Sequence, residues 1–212
     1  ASLNRGAEFA LALTLPAAVA LVVIAGPLVQ VLFQRGAFGA QDTTNTALAL
    51  AAYGAGLPAF VLHKVLQPLY YAREDTRRPF RYALWSMLVN AGFAVALMPV
   101  MGFVAAALAT TVSGWLMVAQ LWHGSRGMGP EAHLDARFKA RLPRIIAASV
   151  LMGGALWLLA DLLAPQLAAP ALRWGALAML CGAGMVIYFG TGTLIGAFRL
   201  SDFKAALRRK KA

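Results

Sequence analysis

The chain has 212 residues, of which 60% are hydrophobic and only 13% are charged. Soluble domains have roughly 25% charged residues, so this composition excludes an ordinary soluble domain. The net charge of +11 would suggest nucleic-acid binding, but the basic residues lie between long apolar runs, which favours a membrane protein. The chain begins at Ala1 rather than at a methionine, and we expect a fragment or a processed product.

Six apolar runs are long enough to cross a bilayer, which takes roughly 20 residues. In chain order they cover residues 9–33, 44–70, 82–100, 103–122, 145–163 and 172–198. Backbone groups in lipid must be bonded within their own segment, and the runs lack the alternation of barrel strands. We therefore predict an all-α integral membrane protein with a bundle of six transmembrane helices. Pro16 and Pro27 predict bends in the first span, and Pro58 and Pro68 in the second.

The distribution of lysine and arginine predicts the orientation. Sixteen of the 19 fall on one side, in the N-terminal tail, the 2–3 and 4–5 connections and the C-terminal tail. Arg35 and Arg173 fall on the other side, and Lys64 lies within the second span. We therefore predict that both ends of the chain are cytoplasmic. Tyr70 and Tyr71 end the second span where aromatic belts meet the head groups.

The connection between the fourth and fifth spans has an amphipathic pattern. Leu134, Phe138 and Leu142 are spaced four apart, and basic residues occupy the positions between them. This pattern predicts a short helix that lies on the cytoplasmic leaflet and contacts anionic lipids. A solvated linker is the alternative.

The sequence offers no pattern typical of catalysis or metal binding. His63, His123 and His133 lack the spacing of metal ligands, and Cys181 is a lone thiol in an apolar run, interpreted as a packing residue. A nucleophile next to a base and a phosphate-binding glycine loop are also missing from the sequence. We therefore predict no enzyme activity, no catalytic residue, no metal and no cofactor.

Polar residues within the spans are the candidates for function. Lys64 lies about two turns from the end of its span, where a lysine usually faces a bundle interior or a water-filled cavity. Its alternative is a snorkelling side chain that reaches the interface. Asn90 and Thr110 either join a polar seam or form hydrogen bonds between helices. Arg35 and Arg173 either meet a lipid head group or anchor helix ends.

Two segments resemble the MurJ (MviN) family of lipid II flippases, part of the MOP exporter superfamily. They are "LPAAVALVVIAGPLVQVLFQRGAF" (residues 15–38) and "GLPAFVLHKVLQPLYYAREDTRRPF" (residues 56–80). The family pattern is F-x-R-G-x-F, then an aspartate, an inner lysine and a Y-A-R-x-D-T-x-x-P turn. The matching residues are Phe33, Arg35, Gly36, Phe38, Asp42, Lys64, Tyr71, Ala72, Arg73, Asp75, Thr76 and Pro79.

The resemblance implies the C-terminal part of a protein with about fourteen spans, in which two lobes face a central cavity. Residues 1–123 would be the last four helices of the second lobe, and residues 124–144 an amphipathic cytoplasmic linker. Residues 145–198 would be an extra helix pair that forms a groove for the polyprenyl tail, and residues 199–212 a basic cytoplasmic tail.

The implied function is movement of lipid II across the bacterial cytoplasmic membrane by alternating access. By the resemblance, the arginines that hold the pyrophosphate lie mostly in the first lobe and at the start of the second, and no position here matches them. The candidate substrate-binding cations of this chain are Lys64, Arg35 and Arg173. Asn90 and Thr110 match a cation site of some members, but Ala94 stands where a carboxylate is expected, which argues against sodium coupling. The alternatives are another lipid-linked oligosaccharide exporter, a drug exporter of the MATE type, and a membrane scaffold without transport.

Overall fold

The computed structural model describes residues 2–129 and 135–197. Regular structure in these ranges is helical, which confirms the predicted all-α class. The helices are α1 (Ser2–Val23), α2 (Ala25–Phe33), α3 (Ala40–Tyr71), α4 (Arg77–Met101), α5 (Val104–Ser125), α6 (Ala136–Leu162), α7 (Ala164–Ala168) and α8 (Arg173–Leu194). In the described part of the chain, six helices are long and apolar enough to cross a membrane, as predicted; α2 and α7 are the short exceptions.

The first span differs from the single helix predicted over residues 9–33. The chain is helical from Ser2, and the helix is interrupted at Ile24, where φ is −108° and ψ is 19°. Pro27 explains the position of the break, because it has no N–H to donate to the carbonyl of Val23 and its ring clashes with that carbonyl. The apolar run therefore forms a long helix, α1, and a short helix, α2.

The basic segment before the fifth span is the first part of α6 rather than a separate short helix. The helix begins at Ala136, and the Asp135 carboxylate caps it by accepting a hydrogen bond of 3.0 Å from the Phe138 N–H. Phe138 and Leu142 pack against the N-terminal half of α1, while Leu134 lies outside the described residues. Where it is described, the predicted amphipathic face is therefore covered by protein rather than by lipid.

The helix α3 is central to the bundle. It packs against both α1 and α5, while α4 packs on α5, α6 packs on α1, and α8 packs on α6. Glycines allow the close contacts of α3. A Cβ atom at Gly54 would lie 2.8 Å from the Cβ of Leu21 in α1, and one at Gly56 would lie 2.7 Å from the Thr111 hydroxyl in α5. Small residues thus let neighbouring backbones approach, as is usual between membrane helices.

Two side chains of α5 donate hydrogen bonds to backbone carbonyls in the middle of α3. The Thr111 hydroxyl donates to the carbonyl of Ala52 at 2.6 Å, and the Trp115 indole N–H donates to that of Ala55 at 3.1 Å. Both acceptors lie within two turns of Pro58. These bonds fix the register of α3 against α5 near the proline, where the helix backbone is weakest.

Candidate functional site

Ion pairs and caps gather basic segments at one end of the bundle, which we call the basic end. Glu8 of α1 forms ion pairs with Arg141 and Arg137 of α6, the latter at 3.4 Å between Glu8 Oε2 and Arg137 Nε. Arg144 donates a hydrogen bond of 3.3 Å to the carbonyl of Gly196, just after α8. These contacts agree with the predicted grouping of the basic segments on one side. The basic tail, residues 199–212, lies outside the described residues.

The family-signature turn between α3 and α4 is organised by Asp75. Its carboxylate accepts a hydrogen bond of 3.1 Å from the Arg78 N–H and pairs with the Arg78 guanidinium at 3.2 Å. Thr76 holds the N-cap position of α4 without a side-chain hydrogen bond, so Asp75 supplies the cap. Pro79 is buried in the first turn of α4, where a missing N–H costs no helical bond.

Arg73 and Tyr70 attach this turn to α5. The Arg73 guanidinium donates to the carbonyl of Met128, and the Tyr70 hydroxyl donates to the carbonyl of Leu121 at 2.6 Å. Gly124 makes the approach possible, because a Cβ atom there would lie 2.6 Å from the Tyr70 hydroxyl. The signature turn therefore connects α3 and α4 to α5 and to the segment that follows it.

The two tyrosines at the end of α3 lie in different surroundings. Tyr70 is fully buried and stands edge-on to Tyr82, with ring centroids 6.3 Å apart, whereas Tyr71 is 50% exposed. The prediction that Tyr70 belongs to an aromatic belt is therefore wrong, because its ring and hydroxyl are both used within the protein. For Tyr71 the belt stays a prediction.

The three predicted substrate-binding cations do not share one pocket. Lys64 is exposed, and it lies about 36 Å along α3 from Ala40, given a rise of about 1.5 Å per residue. Arg35 precedes that start, and Arg173 begins α8, which packs on α2 through an apolar cluster. Arg35 and Arg173 thus lie at the end opposite the basic end. Lys64 lies nearer the basic end, about two turns from the end of α3 at Tyr71.

The two arginines at the opposite end differ in how their donors are used. Arg35 is exposed, and its guanidinium donates at 3.1 Å to the carbonyl of Leu32, which caps the last turn of α2. The Arg173 guanidinium lies 5.9 Å from the centroid of the Trp174 ring. Its Nε atom is buried, without a hydrogen-bond partner among the described residues. Arg35 therefore uses one donor at the end of α2, while Arg173 Nε has no partner among the described residues.

Asn90 and Thr110 are brought together, as predicted for a contact between the third and fourth spans. The Asn90 amide nitrogen lies 3.2 Å from the hydroxyl oxygens of both Thr110 and Ser113. The two hydroxyls in turn donate to backbone carbonyls of α5, at 2.8 Å and 3.0 Å. Each of these oxygens therefore faces a donor, which is the arrangement of an interhelical hydrogen-bond cluster. The amide orientation follows from this network.

An open groove of about 500 Å³ lies at the opposite end, between the segment before α3 and the start of α5. Phe38, Asp42 and Phe103 are among its lining residues. The Asp42 carboxylate accepts a hydrogen bond of 3.0 Å from the Gly39 N–H and so completes the start of α3. The position of Asp42 in the signature is thus explained by its role in capping α3.

Acidic, histidine and cysteine side chains do not form a metal centre in the described part of the chain. Within residues 2–129 and 135–197, three or more such side chains do not converge at any point.

Two polar contacts of the fold were not predicted from the sequence: Ser113 beside Asn90, and Glu8 between two arginines. Ser113 lies three residues after Thr110, on the same helical face, and this spacing was the available signal. No local sequence pattern could predict the contacts of Glu8, because Arg137 and Arg141 lie far along the chain.

The sequence matches the family model described as lipid II flippase MurJ over residues 1–175. A probable lipid II flippase MurJ of Rhizobium tropici is 39% identical over 213 residues, which is 98% of this chain and 39% of that protein. The corresponding protein of Vibrio cholerae serotype O1 is 36% identical over 97% of this chain and 39% of that protein.

One solved structure, a lipid II flippase MurJ in an inward closed conformation, superimposes with a TM-score of 0.71. It is 23% identical and covers 91% of this chain and 38% of its own, so it supports the fold alone. The chain spans about two fifths of the length of these relatives.

Proposed function

We propose, because this chain belongs to the MurJ family of lipid II flippases, that it forms the C-terminal part of a protein that moves lipid II across the bacterial cytoplasmic membrane. The match to the family model over residues 1–175 carries this proposal. The multi-pass architecture, with six membrane-spanning helices in the described part, is the one such a transporter needs. The remaining lobe would come from the length of the relatives that this chain does not cover.

The packing of the helices supports an assignment of each helix to a part of the transporter. α3, α4 and α5, with α1, would be the last helices of the second lobe, within residues 1–123. Residues 124–144 would link them to an extra pair within residues 145–198, formed by α6 and α8, which pack on α1 and on each other. The exposed apolar side chains of the pair, among them Val150, Trp157 and Val186, would face the polyprenyl tail.

The cations of this chain would act at different stages of transport. Lys64 would face the central cavity and attract the pyrophosphate of lipid II. Arg35 and Arg173 lie at the opposite end, where they would meet the head group near the outer leaflet. The basic end would face the cytoplasm and contact anionic lipids there, because positive residues concentrate on the cytoplasmic side of membrane proteins.

The role of Lys64 is tested in the intact protein by complementation of cells depleted of their own flippase. Lys64→Ala should lower complementation at an unchanged level of membrane-inserted protein, because the cavity loses a charge that favours the pyrophosphate. Lys139→Ala is the matched control, since Lys139 is an exposed lysine at the start of α6, outside the proposed cavity. Full growth with Lys64→Ala would remove Lys64 from the mechanism.

Complementation by the unsubstituted protein tests the function itself. Restored growth and cell shape would support lipid II as the substrate. A membrane-inserted, folded protein that restores neither would contradict the proposal and favour another lipid-linked substrate.

A further inference from the structure

A proline in α1 leaves a backbone acceptor without its helical donor. Pro16 has no N–H, so it removes the hydrogen bond that the carbonyl of Ala12, four residues earlier, accepts in a regular helix. Ala12 is buried within a membrane-spanning helix. Water does not bond such a carbonyl in lipid, so a donor from elsewhere in the protein is needed.

Tyr188 of α8 supplies that donor. Its hydroxyl donates a hydrogen bond of 2.5 Å to the carbonyl of Ala12, across 176 residues of sequence. The side chain is only 3% exposed, and it packs in one buried cluster with Ala148 and Met152 of α6. Helices α1, α6 and α8 therefore meet around a buried hydrogen bond, at the carbonyl that Pro16 leaves without its helical donor.

The packing around this contact keeps the three helices close. A Cβ atom at Gly153 of α6 would lie 2.5 Å from Val19 Cγ1 of α1, one turn beyond Pro16. A Cβ atom at Gly184 of α8 would lie 3.2 Å from the Leu156 side chain of α6. The absence of side chains at both glycines thus brings α8 close enough for the tyrosine to reach the α1 backbone.

The hydrogen bond of Tyr70 differs from that of Tyr188 in what it does for the acceptor helix. It is also a buried tyrosine that donates to a helix carbonyl, that of Leu121. The residue four positions after Leu121 is Ser125, which has an N–H, so the Tyr70 bond adds to a regular helix rather than replacing a missing bond. The Tyr188 bond therefore replaces a missing helical bond, whereas the Tyr70 bond does not, and a double-mutant cycle can detect this difference.

We propose that Tyr188 is a positioning residue that fixes the α6–α8 pair to the Pro16 turn of α1, so that the pair follows α1 when α1 moves. The part of this proposal that concerns movement rests on the proposed transport function. The hydrogen bond from Tyr188 to Ala12 is independent of that function and is tested separately.

The hydrogen bond is tested by a double-mutant cycle on the intact protein in detergent. Tyr188→Phe should lower the apparent Tm by about 2–4 °C. Pro16→Ala restores an N–H four residues after Ala12, so adding Tyr188→Phe to it should cost less than about 1 °C. Tyr70→Phe is the control and should cost the same in both backgrounds. An equal loss for Tyr188→Phe with and without Pro16→Ala would overturn the assignment.

The positioning role is tested by lipid II translocation, measured well below the Tm on equal amounts of folded protein. Tyr188→Phe should slow translocation about two- to tenfold, whereas Tyr70→Phe should change it little. Equal effects of the two substitutions would reduce Tyr188 to a stabilising residue and overturn the positioning role. If the unsubstituted protein moves no lipid II, the proposed function fails, and the thermal cycle still decides the Tyr188 hydrogen bond.

Discussion

Helices α4 and α5 are adjacent in sequence and both apolar enough to span a membrane, yet they are buried to very different extents. In their most apolar stretches, 6% of α4 and 44% of α5 are buried by other parts of this chain. The buried residues of α5 are mainly small, and they include Ala105, Ala109, Thr111 and Ser113. Lipid is as apolar as a leucine side chain, so apolarity does not decide which helix lies inside; close approach of small residues does.

The largest effect is expected when a glycine in the interface of α3 with α5 is replaced by a larger residue. Gly56→Leu should destabilise the protein by about 3 kcal/mol or more, because even a Cβ atom would lie 2.7 Å from Phe60 and Thr111. The measurement is the yield of monodisperse protein and its apparent Tm in detergent. Gly92→Leu in α4 is the control, since nothing lies within 4 Å of a Cβ atom there. Comparable losses from the two substitutions would contradict the contrast.

Removing the polar contact between α4 and α5 should destabilise the protein less than Gly56→Leu. Asn90→Leu removes the bonds to Thr110 and Ser113 and should cost about 1 kcal/mol, the usual value for hydrogen bonds between membrane helices. Thermal unfolding in detergent measures the loss. Phe93→Leu, at an exposed position of the same helix, should leave stability nearly unchanged. A loss of several kcal/mol for Asn90→Leu would show that this cluster does more than join two helices.

Sodium ions should have the smallest effect on the apparent Tm. Because the Thr110 and Ser113 hydroxyl oxygens face the Asn90 amide nitrogen and Ala94 offers no carboxylate, replacing KCl by NaCl at equal ionic strength should not shift the apparent Tm. A rise in sodium that disappears in Thr110→Val would instead establish a cation site at this place.

Hydropathy was sufficient to predict the number of spans and the grouping of basic segments, because both depend on composition averaged over some twenty residues. The same averaging hides the break at Ile24 and the continuity of α6 through Pro143. It also does not predict the direction in which a residue points around a helix, and so Tyr70 was placed among head groups although it is buried.

The polar partners were harder to predict than the helices. Asn90 and Thr110 were paired correctly because a polar residue in each of two adjacent spans has few alternatives in lipid. The partners of Glu8 and of Tyr188 lie 133 and 176 residues away, and they are set by which helices pack together. A single sequence carries no local pattern that specifies such packing.

The central claim, that this chain is part of a lipid II flippase, is tested most directly by the leaflet in which lipid II is found. In cells depleted of their own flippase, the intact protein should restore lipid II at the outer leaflet, where an impermeant reagent can reach it. Lipid II that stays inaccessible, although the protein is folded and inserted in the membrane, would contradict the account.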